Sequence, residues 1–154
     1  MKLVKPSERK ELETQGKLKK RYHGFEQLIN ELGERELPES IKGILNSEIE
    51  ALNSIPSSDK QFTRVLRKKK SLILKTLEKE LKLVPKHHYR TLWMAIGMSV
   101  FGIPMGAAFG AALDNMGFLG IGLPIGMAIG IGVGTAMDEK ARKEGRQLNV
   151  VHEF

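Results

Sequence analysis

The chain contains no cysteine and few aromatic residues: one Trp, two Tyr and six Phe in 154 residues. The absence of cysteine excludes disulfides, thiolate metal sites, a cysteine nucleophile and a lipid-anchoring cysteine. The four histidines show no metal-ligand spacing, because His87 and His88 are adjacent and His23 and His152 have no companion three or four residues away. No phosphate-loop or triad motif is present either. The sequence therefore predicts neither an enzyme nor a cofactor.

Charge is missing from two stretches, residues 91–113 and 115–137, each 23 residues long. An apolar helix of about 20 residues crosses the hydrocarbon core of a bilayer. The sequence therefore predicts a transmembrane hairpin, with spans at about 91–113 and 116–137 and a turn at Asp114-Asn115. No ionisable residue lies inside either span, so the usual sign of an ion or proton pathway is missing. Ser99 is expected to bond its own helix backbone.

The charges that are present divide the chain unequally. Residues 1–90 carry 21 of the 25 Lys and Arg and 13 of the 18 Asp and Glu, a net charge of +8 against −1 for the rest. Basic residues flank the outer ends of both spans, and none lies in the turn between them. Because Lys and Arg favour the cytoplasmic side, we expect a multi-pass inner (cytoplasmic) membrane protein with both termini in the cytoplasm. The residues before Pro6 include no apolar run, so no cleavable signal peptide is expected.

This orientation predicts three domains. Residues 1–86 are a cytoplasmic helical domain, residues 87–138 are the transmembrane hairpin, and residues 139–154 are a cytoplasmic polar tail. The last of these begins with a run of charged residues directly after the second span, which is typical of a solvated segment.

Three amphipathic segments precede the spans. Apolar residues recur at three- and four-residue steps in residues 18–32, 41–52 and 62–84, which predicts three helices. The first series is similar to the heptad pattern of a coiled coil. Short connections favour antiparallel neighbours, so the predicted fold class is all-α: an antiparallel three-helix bundle followed by the transmembrane hairpin. The alternative is three separate helices that pack only on a partner.

The ends of these helices carry capping signals. Ser7 is predicted to cap the first helix and Gly33 to end it, and Pro38 stands where a second helix begins. Asp59 is predicted to cap the third helix, which Pro85 ends.

Glycine recurs every four residues within the spans. The series residues are Gly102, Gly106 and Gly110 in the first span and Gly122, Gly126, Gly130 and Gly134 in the second. Four residues return close to the same face of a helix, so each span has one face without side chains. In lipid such faces permit close backbone contact, which favours helix packing and self-association into a homo-oligomer. The alternative is that these glycines only let the two spans of one chain pack together.

The two spans also share a short repeat. The segment 102–110 matches the segment 122–130, and each contains a proline at its third position, Pro104 and Pro124. Proline removes a backbone donor and bends helices, so the repeat predicts a paired kink at equal depth in the membrane. The alternative is a duplicated segment in which proline is merely tolerated.

The segment from Gly102 to Gly134, followed by Asp138-Glu139-Lys140-Ala141, resembles the glycine-zipper hairpin of many small bacterial membrane proteins. The resemblance covers about residues 91–143 and does not reach the three preceding helices. It implies a bacterial or archaeal membrane protein that self-associates, and it implies no defined activity.

The densest basic cluster lies in the third predicted helix. It consists of Arg64, Arg67, Lys68, Lys69 and Lys70. Such a cluster is either a solvated face or a surface for an acidic protein partner. Nucleic acid is disfavoured as a partner, because no aromatic residue is interleaved for base stacking.

Together these patterns predict a non-catalytic integral membrane protein, embedded in membrane lipid, that self-associates through its glycines. It would present a basic helical domain, residues 1–86, on the cytoplasmic side, where an acidic protein is the candidate partner. The alternative function is a pore- or channel-forming oligomer, such as a stress or defence effector.

Overall fold

The structure, a computed structural model, describes residues 2–9, 11–12, 16–56 and 61–151. It is mostly helical, at 76%, as the sequence predicts. The chain divides into two compact units. The helical unit contains the described residues up to Pro85 and those from Leu148 onward, and the apolar unit is Lys86–Gln147.

The helical unit contains three helices: α1 (Gly16–Gly33), α2 (Glu39–Asn53) and α3 (Phe62–Leu81). Their inward faces form one hydrophobic core. The most completely buried side chains are those of Phe25, Leu28, Leu32, Leu45, Ile49, Leu52, Phe62, Leu66, Ile73 and Leu77. The three- and four-residue series of the sequence therefore identify the core face of each helix correctly. In α2 the series left Ile44 and Leu45 as alternatives, and Leu45 is buried while Ile44 is 45% exposed.

The first predicted helix begins later than its capping signal indicated. Residues 2–9 form a segment without helix or strand, here called the arm, and α1 starts at Gly16. Ser7 caps no helix, because residues 8–9 are not helical. Its N–H donates to the Asn53 side chain and its carbonyl accepts from the Tyr22 hydroxyl. The prediction of a cap at Ser7 was wrong, since these side chains of α1 and α2 hold the backbone outside a helix. The predicted cap Asp59 lies outside the described residues.

The third helix ends earlier than predicted. Lys82 takes a left-handed conformation (φ 57°), and the N–H of Leu83 bonds the carbonyl of Leu77 at 3.2 Å. The chain then forms strand β1 (Val84–Lys86), so Val84 is buried in a strand and not in the helix that the sequence predicted.

The residues after the second span also differ from the polar tail that the sequence predicted. The last helix continues to Lys143, Gly145 turns the chain at a φ of 68°, and Gln147–Val151 forms strand β2, which pairs with β1. Leu148 and Val150 of β2 are buried in the core of the helical unit. Apolar residues on one side of a short strand explain this placement. Residues 152–154 of the predicted tail lie outside the described residues.

The apolar unit consists of two long helices. The first apolar helix (His88–Ala112) is built from α4 (His88–Ile96), a π-helical segment (Gly97–Gly102) and α5 (Ile103–Ala112). The second apolar helix (Met116–Lys143) opens with a 3₁₀ turn and continues as α6 (Leu119–Lys143). The connection falls at the predicted turn, where Asp114 has a positive φ of 49°.

Candidate functional site: a glycine-packed apolar hairpin

Both apolar helices are long enough to cross a membrane. They contain 25 and 28 residues, and only 17% and 18% of their most apolar windows are buried within the structure. A core helix of a soluble protein is mostly buried, whereas these helices direct most of their apolar side chains outward. Examples are Val100 and Leu113, each 56% exposed, and Ile121, which is 49% exposed. The length and composition of the helices are therefore compatible with a membrane protein.

The two helices pack against each other through glycine. A Cβ added to Gly126 would lie 2.7 Å from Cα of Gly102, and one added to Gly122 would lie 2.6 Å from Cα of Gly106. Real Cβ atoms do not occur at such distances from backbone, so only glycine fits at these positions. All seven series glycines are buried between the helices of one chain. The alternative reading, in which the glycines let the two spans of one chain pack, is thus sufficient to explain their spacing.

The contacts continue along the whole hairpin. A Cβ on Gly134 would lie 2.5 Å from Cα of Arg90, and a Cβ on Gly130 would lie 2.9 Å from Cα of Met94. Gly120 and Gly132 of the second apolar helix lie outside the series and behave differently, because a Cβ on either meets nothing within 4 Å. In the second apolar helix the packed face is therefore continuous and specific to the four-residue series.

An eighth glycine joins this face through the π-helical segment. Gly97 lies five residues before Gly102, a spacing that an α-helix would rotate away from the partner. In the π-helical segment Gly97–Gly102 the turn is wider, and a Cβ on Gly97 would lie 2.9 Å from Cα of Gly130. The π-helical segment thus brings Gly97 onto the same face as the series.

The two repeated prolines occupy different surroundings. Pro104 stands at the start of α5, directly after the π-helical segment, where the helix returns from five-residue to four-residue bonding. Pro124 lies inside α6, which runs through it as one helix. Pro104 has no N–H, so it can donate neither a five-residue nor a four-residue backbone hydrogen bond. This missing donor accounts for the change from π-helical to α-helical bonding beside it. The two prolines thus differ in their local helix geometry, although both stand at the third position of the repeat.

One acidic residue is buried at the end of the hairpin opposite the turn. Asp138, on α6, is only 7% exposed, and its carboxylate accepts hydrogen bonds from the backbone N–H groups of Tyr89 (3.1 Å) and Arg90 (3.0 Å). These are free donors of the first turn of α4, whose own cap residue, His87, makes no side-chain cap bond. A carboxylate at a helix N-terminus satisfies such donors and complements the helix dipole. Asp138 is therefore a capping residue supplied by the neighbouring helix.

Asp138 and Gly97 belong to the site although the sequence patterns did not indicate either residue. A signal for Asp138 existed, because it stands at the next four-residue step after Gly134 and so continues the packed face. No signal marked Gly97, since its inclusion depends on a π-helical segment that periodicity does not predict. Ser99 behaves as expected, and its hydroxyl donates to the carbonyls of Ala95 and Ile96 in its own helix.

The predicted basic cluster is not a single surface. Arg64, Arg67 and Lys68 are exposed on α3, whereas the Lys69 ammonium forms an ion pair with Glu48 of α2 at 2.6 Å. Lys70 is half-buried, with its ammonium over Gly24 of α1. Two members of the cluster thus join α3 to its neighbouring helices, and three remain available to solvent.

Comparison with known proteins returns no match: no protein-family model, curated protein or solved structure is similar to this chain. Within the described ranges, no group of three or more His, Asp or Glu residues stands together as a metal site would require.

Proposed function

We propose that this chain is a non-catalytic integral membrane protein whose glycine-packed hairpin anchors a basic helical domain at the cytoplasmic face of the inner membrane. The observation that carries the proposal is the difference between the inner and outer faces of the hairpin. Backbone meets backbone on its inner face, and apolar side chains cover its outer face. In lipid, two helices gain little from burying apolar side chains against each other and gain most from close backbone packing.

The flanks of the hairpin support a placement of both termini on one side. Strands β1 and β2 pair directly, and they belong to the segments just before the first apolar helix and just after the second. Paired strands cannot lie on opposite sides of a bilayer. Lys82, Lys86 and Arg90 precede the first helix and Lys140, Arg142 and Lys143 end the second, which favours the cytoplasmic side for both flanks.

In this proposal the hairpin presents α1, α2 and α3 as the antiparallel bundle that the sequence predicts. Exposed Arg64, Arg67 and Lys68 give it a basic surface that suits an acidic protein partner. The other basic residues of the predicted cluster serve internal contacts, so we assign this partner surface to these three residues.

Self-association remains part of the proposal. The series glycines have a complete set of partners inside one hairpin, so a second copy would have to contact the outer face of the hairpin or the helical domain. The resemblance to small bacterial glycine-zipper proteins favours such assembly.

The anchor is tested by alkaline carbonate extraction and by cysteine labelling of the full chain expressed in bacterial cells. Asn115→Cys, in the turn between the apolar helices, should react with a membrane-impermeant maleimide added to intact cells. Lys75→Cys, on α3, should react only after the inner membrane is permeabilised. The background is clean because the chain has no native cysteine.

Extraction of the protein by carbonate would overturn the anchor. Labelling of Asn115→Cys and Lys75→Cys from the same side would overturn the topology, even if the protein stayed in the membrane.

A further inference from the structure

Two asparagines of α2 hold the arm by its backbone. The Asn46 side chain accepts a hydrogen bond from the N–H of Val4 at 2.8 Å and donates one to the carbonyl of Lys2 at 3.1 Å. Asn53 repeats the pattern, with the N–H of Ser7 at 3.0 Å and the carbonyl of Lys5 at 3.1 Å. Each amide thus makes the two bonds that a neighbouring β-strand would make. We call Asn46 and Asn53 together the asparagine clamp.

The spacing of the clamp matches an extended chain. Asn46 and Asn53 are seven residues apart, so they lie on one face of α2 about 10.5 Å apart along its axis. The bonded residues of the arm advance by three, which is about 10 Å in an extended chain. The two asparagines on this face of α2 are therefore spaced to hydrogen-bond the main chain of an extended segment. The match depends on the two backbone spacings and not on the side chains of the segment.

Beyond the clamp, the arm is held at its C-terminal end. Arg9 donates to the carbonyls of Leu52 and Asn53 at the end of α2, and its guanidinium stacks over the Phe62 ring at 4.5 Å. The Tyr22 hydroxyl donates to the carbonyl of Ser7 at 2.6 Å. These contacts define the groove, by which we mean the clamp together with Tyr22 and Phe62.

The beginning of the arm lies beside a cavity that is open to solvent. This surface cavity of 610 Å³ is lined by Lys2, Val4, Ile29, Gly33 and Lys42 among others. Lys2 is exposed there, whereas Leu3 and Val4 are half-buried and pack against the core of the helical unit.

We propose that the groove also binds the arm of a second copy, so that exchange of residues 2–9 links neighbouring chains. The proposal rests on the self-association in the proposed function and gives it an interface. An arm from a second copy presents the same Lys2, Val4, Lys5 and Ser7 backbone groups, and the same Arg9, as the arm that the groove already holds. Exchanged and unexchanged arms therefore make identical contacts. The local concentration of the protein then decides which of the two arrangements is more populated. A hairpin anchored in a membrane confines copies to two dimensions and raises that concentration.

The experiment uses two differently tagged full-length chains reconstituted in the same vesicles. One carries Lys2→Cys and the other carries Lys42→Cys, since both lysines line the cavity beside the arm. A short bis-maleimide should join them into a covalent heterodimer. The joined cysteines belong to different chains, so this product forms only if the arm of one copy lies at α2 of the other.

Two controls accompany the mixture. Lys75→Cys replaces Lys42→Cys as an exposed lysine of α3 outside the cavity and should give only background heterodimer. A single chain with both Lys2→Cys and Lys42→Cys should give the intramolecular product, which shows that the reagent spans the site.

Heterodimer at the Lys75→Cys background, together with efficient crosslinking in the doubly substituted chain, would overturn arm exchange. This result does not affect the anchor, which fails only if the protein is extracted by carbonate or labels from the wrong side.

Discussion

At the scale of single residues, Asp138 has the clearest energetic role in the hairpin. Its carboxylate is buried and bonds two backbone N–H groups of α4. We expect Asp138→Ala to lower the free energy of unfolding by about 1–3 kcal/mol, because two partly buried donors lose their partner. Asp138→Asn keeps one acceptor and should cost less. Unfolding in mixed micelles, followed by the fluorescence of Trp93 in α4, measures both changes.

The neighbouring Glu139 supplies the control. It forms an ion pair with Arg142 at 2.7 Å, with 44% of the Glu139 side chain exposed. Exposed ion pairs contribute about 0–1 kcal/mol, so Glu139→Ala should have a small effect. Equal losses for Asp138→Ala and Glu139→Ala would contradict the assignment of Asp138 as the cap.

A second residue-scale prediction concerns Tyr22, which bonds the arm. Burial raises the pKa of its hydroxyl above the usual 10.0, and the hydrogen bond from Arg9 opposes that rise. The stability that this shift contributes is fully present below about pH 10 and is lost as the pH rises through the folded-state pKa. In a Tyr89→Phe chain, where Tyr22 is the remaining tyrosine, tyrosinate absorbance should reach its midpoint above pH 10. A midpoint at or below pH 10 would show that the hydroxyl is exposed to water.

Sequence reasoning succeeded for residues whose role follows from periodicity. Phe25, Ile49 and Leu77 are buried as their three- and four-residue steps predict. It failed for Ser7 and Asn46, because their partners lie far along the chain and side-chain hydrogen bonds leave no periodic signal. It also missed Asp138. The four-residue spacing of Asp138 from Gly134 is visible in the sequence, but its partners are the first N–H groups of another helix, which the sequence does not reveal.

At the scale of helices, the glycine series can be tested against glycines that the packing does not need. A Cβ at Gly126 or Gly130 would overlap the backbone of the first apolar helix, whereas one at Gly120 or Gly132 meets nothing within 4 Å. We therefore expect Gly126→Leu with Gly130→Leu to insert into membranes but to separate the two helices toward the ordinary interaxial distance of about 8–10 Å. Gly120→Leu with Gly132→Leu should leave the hairpin closed.

Spin labels at Leu92→Cys and Val133→Cys, both partly exposed on opposite helices, report the separation. The series variant should lengthen or broaden the label distance, and the off-series variant should match the parent. Identical distance distributions in the two variants would mean that the series does not hold the hairpin together.

The helices themselves were predictable where one period extends over many residues. The spans, the turn at Asp114 and the inner faces of α1 to α3 all follow from patterns of ten or more residues. The π-helical segment Gly97–Gly102 did not follow, because it shifts the register by one residue without any change in composition. Strand β2 was missed because five residues of weak alternation do not distinguish a strand from a polar tail.

At the scale of the whole molecule, the helical unit is discontinuous in sequence. Its core includes Leu148 and Val150, which follow the entire hairpin along the chain. The core can therefore be completed only after both apolar helices have been synthesised, and the segment after the second span is part of the domain that precedes the first. A view of the chain as domain, hairpin and tail in sequence order would not identify this dependence.

This dependence leads to a comparison of two positions in β2. Leu148 is fully buried and Val151 is 52% exposed, although both belong to the same five-residue strand. Removing a buried Leu side chain typically costs about 2–5 kcal/mol, so Leu148→Ala should destabilise the helical unit. Val151→Ala, at an exposed position, should change its stability by no more than about 0.5 kcal/mol.

Amide hydrogen exchange of the full chain in micelles measures the effect where it is expected, in α1 and α3, which share the core with Leu148. Faster exchange in those helices for Leu148→Ala alone would place β2 in the folding unit of the first 85 residues. If the two variants exchange alike, the strand is an appendage, and the polar tail that the sequence predicted is the better description.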